Sequence, residues 1–340
     1  MQKRRRNLAI QVGHESPEIV NFLCRDLTFE LLQLPGGAII VGKPRLLFRL
    51  VLDTFWFLGS LPRGRQFGDI VAFGHFGVAI RLLGRLRIIK YSRLFNVGLF
   101  IHSPRWLSIF RLFIFGSSPD HYIVHSEPEI SLYGTNLGID KRRLHYLRWC
   151  DWSSGAILPE LPIPEGARPN EYYCSGGYSN RDYFPLIEVF RTQPENLIIV
   201  CSRNNKELEG VVIPFNVRVL RDIPGDLFEA YVQYAKAGIV PLKYDTGASG
   251  QDVMLRLMRN KKLIIATDIG AVREYIDNGQ TGFLVGDMLR DLPPIIKRIN
   301  VDPSICDDMG NAAHDLYLRR FSGHAGLLAL RKILCTCDNE

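Results

Sequence analysis

Residues 244–285, YDTGASGQDVMLRLMRNKKLIIATDIGAVREYIDNGQTGFLV, decide the fold. The order of small, apolar and polar residues predicts a turn, a helix, a buried strand, a second helix and a short last strand. Ser249 stands where a helix N-cap is expected, with Asp252 three residues on. The unpaired N–H groups and the positive dipole end of such a helix suit a phosphate. The apolar strand Leu263–Ala266 ends in a polar turn, and ligands bind at such strand ends in open α/β sheets.

Length and composition predict an ordinary globular protein. At 340 residues the chain is long enough for two domains with a large buried core. Its 46% apolar and 23% charged residues place it outside the disordered class. The seven cysteines are scattered without a C-x-x-C pair, which predicts a reducing compartment and no metal site.

The sequence pattern predicts neither a signal peptide nor a membrane-spanning helix. Leu8–Val12 is too short to be the apolar core of a signal peptide, and polar residues follow it at once. The chain has no run of about 18 apolar residues, the length that a spanning helix requires.

Alternating strand and helix patterns predict a parallel sheet in the first half of the chain. Leu8–Gly13 and Ala38–Val41 have the composition of strands, with a helix expected from Ser16 to about Leu34 between them. Such βαβ alternation predicts helices on both faces of the sheet. Further strands are predicted at Asp69–Gly74, Asn96–Ile101 and Tyr122–Val124.

The second half repeats this pattern after a proline-rich segment. Apolar strands recur about every 20–25 residues, the spacing of a doubly wound α/β domain. They are Tyr172–Cys174, Leu197–Cys201, Val217–Leu220, Gly238–Leu242, Leu263–Ala266 and Gly282–Val285. We therefore predict a first domain over 1–157, a linker over 158–170, a second domain over 171–320, and a C-terminal helix over 321–340 that crosses back to the first domain.

Two stretches of the second half resemble the donor-sugar domain of GT-B glycosyltransferases, most closely the retaining family-4 type. The turn Ser175–Tyr183, SGGYSNRDY, resembles that family's S-G-G-R-S-x-R-D-Y pattern. The other matching residues are Ser249–Gln251, Met254–Met258, Lys261–Gly270, Glu274–Ile276 and Thr281–Val285. The resemblance covers residues 172–290 well and 69–150 loosely. It implies an α/β GT-B fold, with two Rossmann-like doubly wound domains facing a cleft.

The resemblance also implies a reaction and its donor site. A sugar would pass, with retention and without a metal, from a nucleotide-diphosphate sugar that acts as co-substrate, with no further cofactor. The implied donor-binding residues are Gly176, Gly177, Arg181, Ser249, Gly250, Gln251, Asp252 and Arg256. Arg181 is also a catalytic candidate, because a charge-assisted contact with the diphosphate would help the leaving group depart.

Polar residues follow several predicted strands of the first half. His102 resembles the histidine that follows a central strand in the family, and it is the second catalytic candidate. His14, His75 and Ser126 are candidates for the acceptor side. A histidine at a strand end is more often structural than catalytic, so both interpretations stay open.

The resemblance breaks at Ala248 and Arg256, where relatives carry two glutamates. A guanidinium has donors only and cannot accept a hydrogen bond from a hydroxyl. Arg256 could instead pair with Asp252 one turn earlier, the interpretation that the i,i+4 orientation favours. Alternatively, it could reach the cleft and bind a phosphate or an acidic sugar.

Charge is unevenly distributed along the chain. Residues 1–150 contain 21 Lys/Arg and 10 Asp/Glu, whereas residues 151–340 contain 21 and 25. The segment 43–118 interleaves basic with bulky apolar residues, a pattern typical of helices that lie on anionic membranes. Core helices with outward-reaching arginines would show a similar pattern. A nucleic-acid partner is disfavoured because no recognised module accompanies the charge.

These observations predict a cytoplasmic protein, peripheral on the inner face of the plasma membrane. Its partners would be a nucleotide-diphosphate sugar, the anionic membrane through segment 43–118, and a lipid-linked or polysaccharide acceptor. Two alternatives remain at this point. One is a non-catalytic nucleotide-sugar-binding subunit at the membrane, and the other is a nucleotide-sugar epimerase on the same fold.

Overall fold

The computed structural model describes two compact units. The first consists of Met1–Ser154 with Gly326–Glu340, and the second of Gly155–Ala325. Within them, the structure describes residues 6–12, 23, 27, 29–34, 66–74, 76–98, 120–152, 159–203, 205–244, 249–270 and 272–336.

In the part of the first unit that the structure describes, six strands form one parallel sheet. The strands are β1 Arg6–Val12, β2 Phe29–Leu34, β3 Phe67–Phe73, β4 Arg93–Val97, β5 Asp120–Val124 and β6 Leu144–Tyr146. Their order in the sheet is β2-β1-β3-β4-β5-β6, and every pair of neighbours is parallel. The predicted strand Ala38–Val41 lies outside the described residues.

The described residues of the second unit form another parallel sheet of six strands. Its strands are β7 Tyr172–Gly176, β8 Asn196–Cys201, β9 Val217–Arg221, β10 Ala237–Val240, β11 Leu263–Thr267 and β12 Phe283–Val285. The order β12-β11-β10-β7-β8-β9 is doubly wound, and the chain reverses its direction of winding between β7 and β10. Ligands of open α/β sheets bind at the carboxyl ends of the strands beside such a reversal.

Helices connect the strands of both units. The α-helices of the described residues are α1 Phe76–Arg85, α2 Glu127–Leu137, α3 Tyr183–Arg191, α4 Gly225–Gln233, α5 Gln251–Arg259, α6 Met288–Val301, α7 Ser304–Arg320 and α8 Gly323–Thr336. None of the helices in the described part of the chain is long and apolar enough to cross a bilayer.

Two sequence-based predictions of secondary structure are wrong. The helix expected up to Leu34 is replaced at its end by β2, whose apolar residues pair with β1 along its whole length. A short apolar run does not distinguish a buried strand from a buried helix. The second helix expected after β11 is a series of turns, in which Val272 and Ile276 donate backbone bonds to Ile269 and Val272.

The last helix completes the core of the first unit. Leu330 and Leu334 of α8 pack in one apolar cluster with Ala9, Val71 and Phe95, which lie on β1, β3 and β4. A 14-residue helix from the end of the chain therefore covers strands from its beginning.

The proline-rich segment belongs to the second unit. The backbone N–H of Leu161 donates to Oε1 of Gln233 at 2.8 Å, and the Tyr234 hydroxyl donates to the Leu161 carbonyl. These bonds fasten the segment to the end of α4.

One arginine of the basic segment is buried. Arg81 on α1 and Asp120 at the start of β5 form an ion pair, and their residues are 3% and 1% exposed. Burial and the Asp120 carboxylate raise the pKa of the neighbouring Tyr91 above its usual value. Arg81 therefore cannot face a membrane. Arg85, Arg87 and Lys90, which follow it, are exposed.

We expect Arg81→Met to destabilise the first unit by about 3–5 kcal/mol, because it leaves the Asp120 carboxylate buried without its partner. Lys90→Met removes an exposed charge of the same segment and should change stability by less than about 0.5 kcal/mol. Urea unfolding followed by circular dichroism measures both effects. Equal unfolding midpoints for the two variants would contradict the buried pair.

Candidate functional site

The turn after β7 is shaped by two glycines. A Cβ at Gly176 would overlap the ring of Phe228, which comes from α4. Gly177 has φ +110°, a left-handed conformation that side chains disfavour. The Phe228 ring can therefore pack against the backbone at the end of β7 only because Gly176 has no side chain.

Arg181 lies beneath this turn and is 5% exposed. Its Nε donates to the Gly176 carbonyl at 2.8 Å, and its Nη1 donates to the Ser179 carbonyl at 2.6 Å. A Cβ at Gly177 would overlap the guanidinium. Burial lowers the pKa of Arg181. Among the described residues, no carboxylate forms an ion pair with Arg181. Neutral carbonyls bind its guanidinium, and the Asp252 carboxylate stabilises its charge from a longer distance.

The turn is hydrogen-bonded to the loop that follows β10. Asn180 donates from Nδ2 to the Tyr244 carbonyl at 2.7 Å and accepts from the Tyr244 N–H at 3.1 Å. The Asp182 N–H donates to the Pro241 carbonyl at 3.1 Å. The two loops on either side of the winding reversal thus form one assembly at the carboxyl edge of the sheet.

Helix α5 begins at the same edge. Its N-cap is Gly250, with φ +87°, and not Ser249 as the sequence suggested, because the chain enters the helix through a left-handed residue. No side chain caps the first-turn amides of α5 in the described structure. Gln251, the first helical residue, is 4% exposed, and its Nε2 has no hydrogen-bond partner within the described chain. The first-turn amides of α5 and Nε2 of Gln251 are therefore hydrogen-bond donors without an acceptor in the described structure.

Arg256 is held by two carboxylates. Its Nε donates to Oδ2 of Asp252 at 3.0 Å, which confirms the predicted i,i+4 pair. Its Nη1 donates to Oε2 of Glu229 on α4 at 2.6 Å, and the guanidinium lies 5.7 Å from the centre of the Phe228 ring. Burial by itself would lower the pKa of Arg256, but the Asp252 and Glu229 carboxylates outweigh burial and raise it.

Glu229 is the residue that sequence reasoning missed. It is buried, and besides Arg256 it accepts from Nη2 of Arg259 at 2.9 Å and Nδ2 of Asn260 at 2.6 Å. Arg256, Arg259 and Asn260 recur at helical spacing, which places three donors on one side of α5. That pattern predicts an acidic partner on a neighbouring helix, although it does not say which residue provides it.

In the first unit, only one of the predicted site residues can be described. His14, His75 and His102 lie outside the described residues. Ser126 is the N-cap of α2 and is fully buried, and Oε2 of Glu129 accepts from its backbone N–H at 3.1 Å. This position explains Ser126 as a structural residue, and its acceptor-side role stays a prediction without further support.

The described part of the candidate site is rich in hydrogen-bond donors. The amides of the first turn of α5, Nε2 of Gln251 and the buried guanidinium of Arg181 all lie at the carboxyl edge of one sheet. The exposed Asp252 carboxylate is bound by Arg256. Such an arrangement favours an anionic ligand that carries several acceptor oxygens, as a diphosphate does.

We expect Arg256→Glu to destabilise the second unit by about 3 kcal/mol, because buried Glu229 would lose one partner and face a new carboxylate. Arg290→Glu is the matched control, since Arg290 pairs with Asp291 on the surface, and it should cost at most about 1 kcal/mol. Urea unfolding measures both variants. Adding Glu229→Gln to Arg256→Glu should recover part of the loss, and equal stability of Arg256→Glu and Arg290→Glu would refute the role assigned to Glu229.

The comparisons with known proteins give structural likeness without sequence likeness. No protein-family model and no curated protein matches the chain. Among solved structures, Alr3699/HepE from Anabaena in complex with UDP-glucose is 13% identical, with a TM-score of 0.70 over 98% of this chain and 100% of that one.

Two further structures are similar over nearly the whole chain. Sucrose-phosphate synthase from Thermosynechococcus elongatus is 16% identical, with a TM-score of 0.68 over 98% of this chain and 99% of that one. The lipopolysaccharide outer core galactosyltransferase WaaB is 12% identical, with a TM-score of 0.60 over 97% of this chain and 99% of that one. Together with the two parallel sheets, these likenesses confirm the predicted fold class: the chain has the α/β fold of GT-B glycosyltransferases.

Proposed function

We propose that the chain is a glycosyltransferase of the retaining, family-4 type. Its donor would be a nucleotide-diphosphate sugar, and its acceptor a membrane-associated glycan that is lipid-linked or part of a polysaccharide. The observation that carries the proposal is the buried guanidinium of Arg181, held by neutral carbonyls beside the uncapped start of α5.

A buried cation without a carboxylate partner is energetically unfavourable unless an anion compensates it. An anionic ligand at the carboxyl ends of β7 and β10 would supply that compensation. The first-turn amides of α5 add donors and the positive end of the helix dipole at the same edge. A diphosphate matches both features, because it combines charge with several acceptor oxygens.

The same groups would assist the chemistry. In the transfer, the bond between the sugar C1 and the diphosphate oxygen breaks, and the acceptor oxygen bonds to C1. Negative charge develops on the departing nucleoside diphosphate, which also takes up the proton of the acceptor hydroxyl. Arg181 and the α5 amides would stabilise this charge without a metal ion. His102 stays the candidate for a contact beside the transferring sugar, and retention rests on the resemblance of residues 249–285.

The similar structures support the substrate classes. Alr3699/HepE was solved with UDP-glucose, and WaaB is a galactosyltransferase of the lipopolysaccharide outer core. A nucleotide sugar and a glycan acceptor are therefore compatible with this fold. We place the protein on the inner face of the plasma membrane because the basic segment 43–118 suits an anionic surface.

We expect UDP-glucose or another nucleotide-diphosphate sugar to raise the melting temperature of the protein, because a ligand at 100 times its dissociation constant stabilises by about 2.7 kcal/mol. Arg181→Gln should weaken this binding at least tenfold, since a neutral amide no longer attracts the diphosphate. Arg218→Gln, which removes an arginine bound to the carbonyl of Glu165, is the control and should bind as the wild type does. EDTA should leave binding unchanged.

The proposal fails if no nucleotide-diphosphate sugar changes the melting temperature. Incubation of labelled donor with a membrane extract then separates the alternatives. Label transferred to the extract supports a transferase, whereas binding without transfer indicates a non-catalytic subunit. Conversion of the donor to its epimer without acceptor indicates an epimerase.

Substitution of Gln251 tests nucleotide-sugar binding without an expected loss of protein stability. Because its buried Nε2 has no partner in the described structure, Gln251→Leu should leave the melting temperature unchanged or raise it slightly. If Nε2 donates to the bound nucleotide sugar, the same variant should lose about tenfold in affinity, as measured by calorimetry. A variant with unchanged affinity would remove Gln251 from the donor site.

A further inference from the structure

Two connections of the first unit enter its sheet at the same edge. Residues 85–92 lead from α1 into β4, and residues 138–143 lead from α2 into β6. β4 and β6 flank β5, and all three strands are parallel. Both connections therefore lie at the amino ends of the strands, at positions we call the amino edge, defined by Arg85–Lys90 and Lys141–Arg143.

The amino edge is strongly basic. It carries Arg85, Arg87, Lys90, Lys141, Arg142 and Arg143. Arg142 pairs with Asp140 at 2.7 Å. Asp120 also lies at this end of β5, but it is buried against Arg81. Arg87, Lys90 and Lys141 are exposed and form no ion pair with other described residues, so their positive charge faces solvent.

An apolar side chain protrudes from this charge. Leu86 is 60% exposed, and it stands between Arg85 and Arg87 in the turn that ends α1. Arg87 has φ +58°, so the turn is tight. A hydrated polyanion has no apolar region that an exposed leucine could contact. An anionic bilayer has phosphates at its surface and hydrocarbon just below them, so it can bind both the basic residues and the leucine.

We propose that the amino edge of the first unit binds the surface of an anionic lipid bilayer, with Leu86 entering the boundary between headgroups and acyl chains. The basic residues would neutralise lipid phosphates around it. In this proposal, the connections before β4 and β6 contact the membrane. Arg81 does not, because it is buried against Asp120.

This placement has a consequence for the acceptor, and this step rests on the proposed function. The candidate acceptor residues follow the opposite, carboxyl ends of the strands, as Ser126 does after β5. Strand β3 has seven residues and spans about 23 Å at about 3.3 Å per residue. With the strands along the bilayer normal, the reacting hydroxyl would lie about 20 Å above the lipid phosphates. A glycan of several sugars reaches that height, and a lipid headgroup of one sugar does not.

The test is co-sedimentation of the full chain with vesicles of phosphatidylcholine alone or mixed with phosphatidylglycerol. The edge variant combines Arg87→Glu, Lys90→Glu and Lys141→Glu, three exposed residues from both connections. The control variant combines Lys206→Glu, Lys297→Glu and Arg319→Glu, which are exposed residues of the second unit with the same change in charge. Melting temperatures establish that both variants fold.

We expect the wild type to bind only the anionic vesicles, and less at high salt. Each basic residue near an anionic surface contributes about fivefold to binding, so the edge variant should lose about a hundredfold or more. The control variant should keep most of its binding. Leu86→Ser should lose several-fold without a change in melting temperature. Equal losses in the edge and control variants would overturn the assignment.

A soluble polyanion is the competing partner. If heparin or an oligonucleotide binds the amino edge and Leu86→Ser sediments with vesicles as the wild type does, the bilayer assignment is wrong. The acceptor step is tested by comparing transfer to a lipid carrying one sugar with transfer to a lipid carrying an oligosaccharide. Faster transfer to the single sugar would overturn that step, whereas absence of donor binding would instead refute the proposed function.

Discussion

The architecture of the candidate site in the second unit depends on one buried guanidinium. Arg181 joins the carbonyls of Gly176 and Ser179, and it can lie there only because Gly177 has no side chain. Gly176 has a matching requirement on the other side, where Phe228 of α4 packs against it. The arginine and both glycines therefore need one another. Because Asn180 ties the same turn to the loop after β10, the order imposed by Arg181 extends across the winding reversal of the sheet.

Each unit also contains a buried ionic cluster that links a helix to another element. Arg81 joins α1 to the start of β5, and Glu229 joins α4 to α5. Such pairs add little net stability, because desolvation offsets their attraction, but removal of one partner is costly. Their contribution is to select one packing arrangement of the elements. In the second unit that arrangement holds Arg256 against Asp252, so the exposed acid at the start of α5 is neutralised.

Short sequence patterns predicted correctly those features that depend on residues close together in the chain. The strand pattern of the second unit, the glycine turn and the Asp252–Arg256 pair all follow from residues close together in sequence. The exceptions depend on distant residues. β2 is a strand because β1 and the sheet accept its apolar run, and Arg81 is buried because Asp120 lies opposite it. Glu229 was missed for the same reason, since its partners are 27 or more positions away along the chain.

The position of α8 has a consequence for synthesis of the chain. Leu330 and Leu334 complete the core around β1, β3 and β4, although about three hundred residues separate them from β1. A ribosome delivers the chain from its amino end, and domains generally fold as units once they have emerged. The second unit is complete at Ala325, before the last helix has left the exit tunnel. The first unit cannot complete its core until α8 has also emerged, so its apolar sheet stays partly uncovered for longer than its place in the sequence suggests.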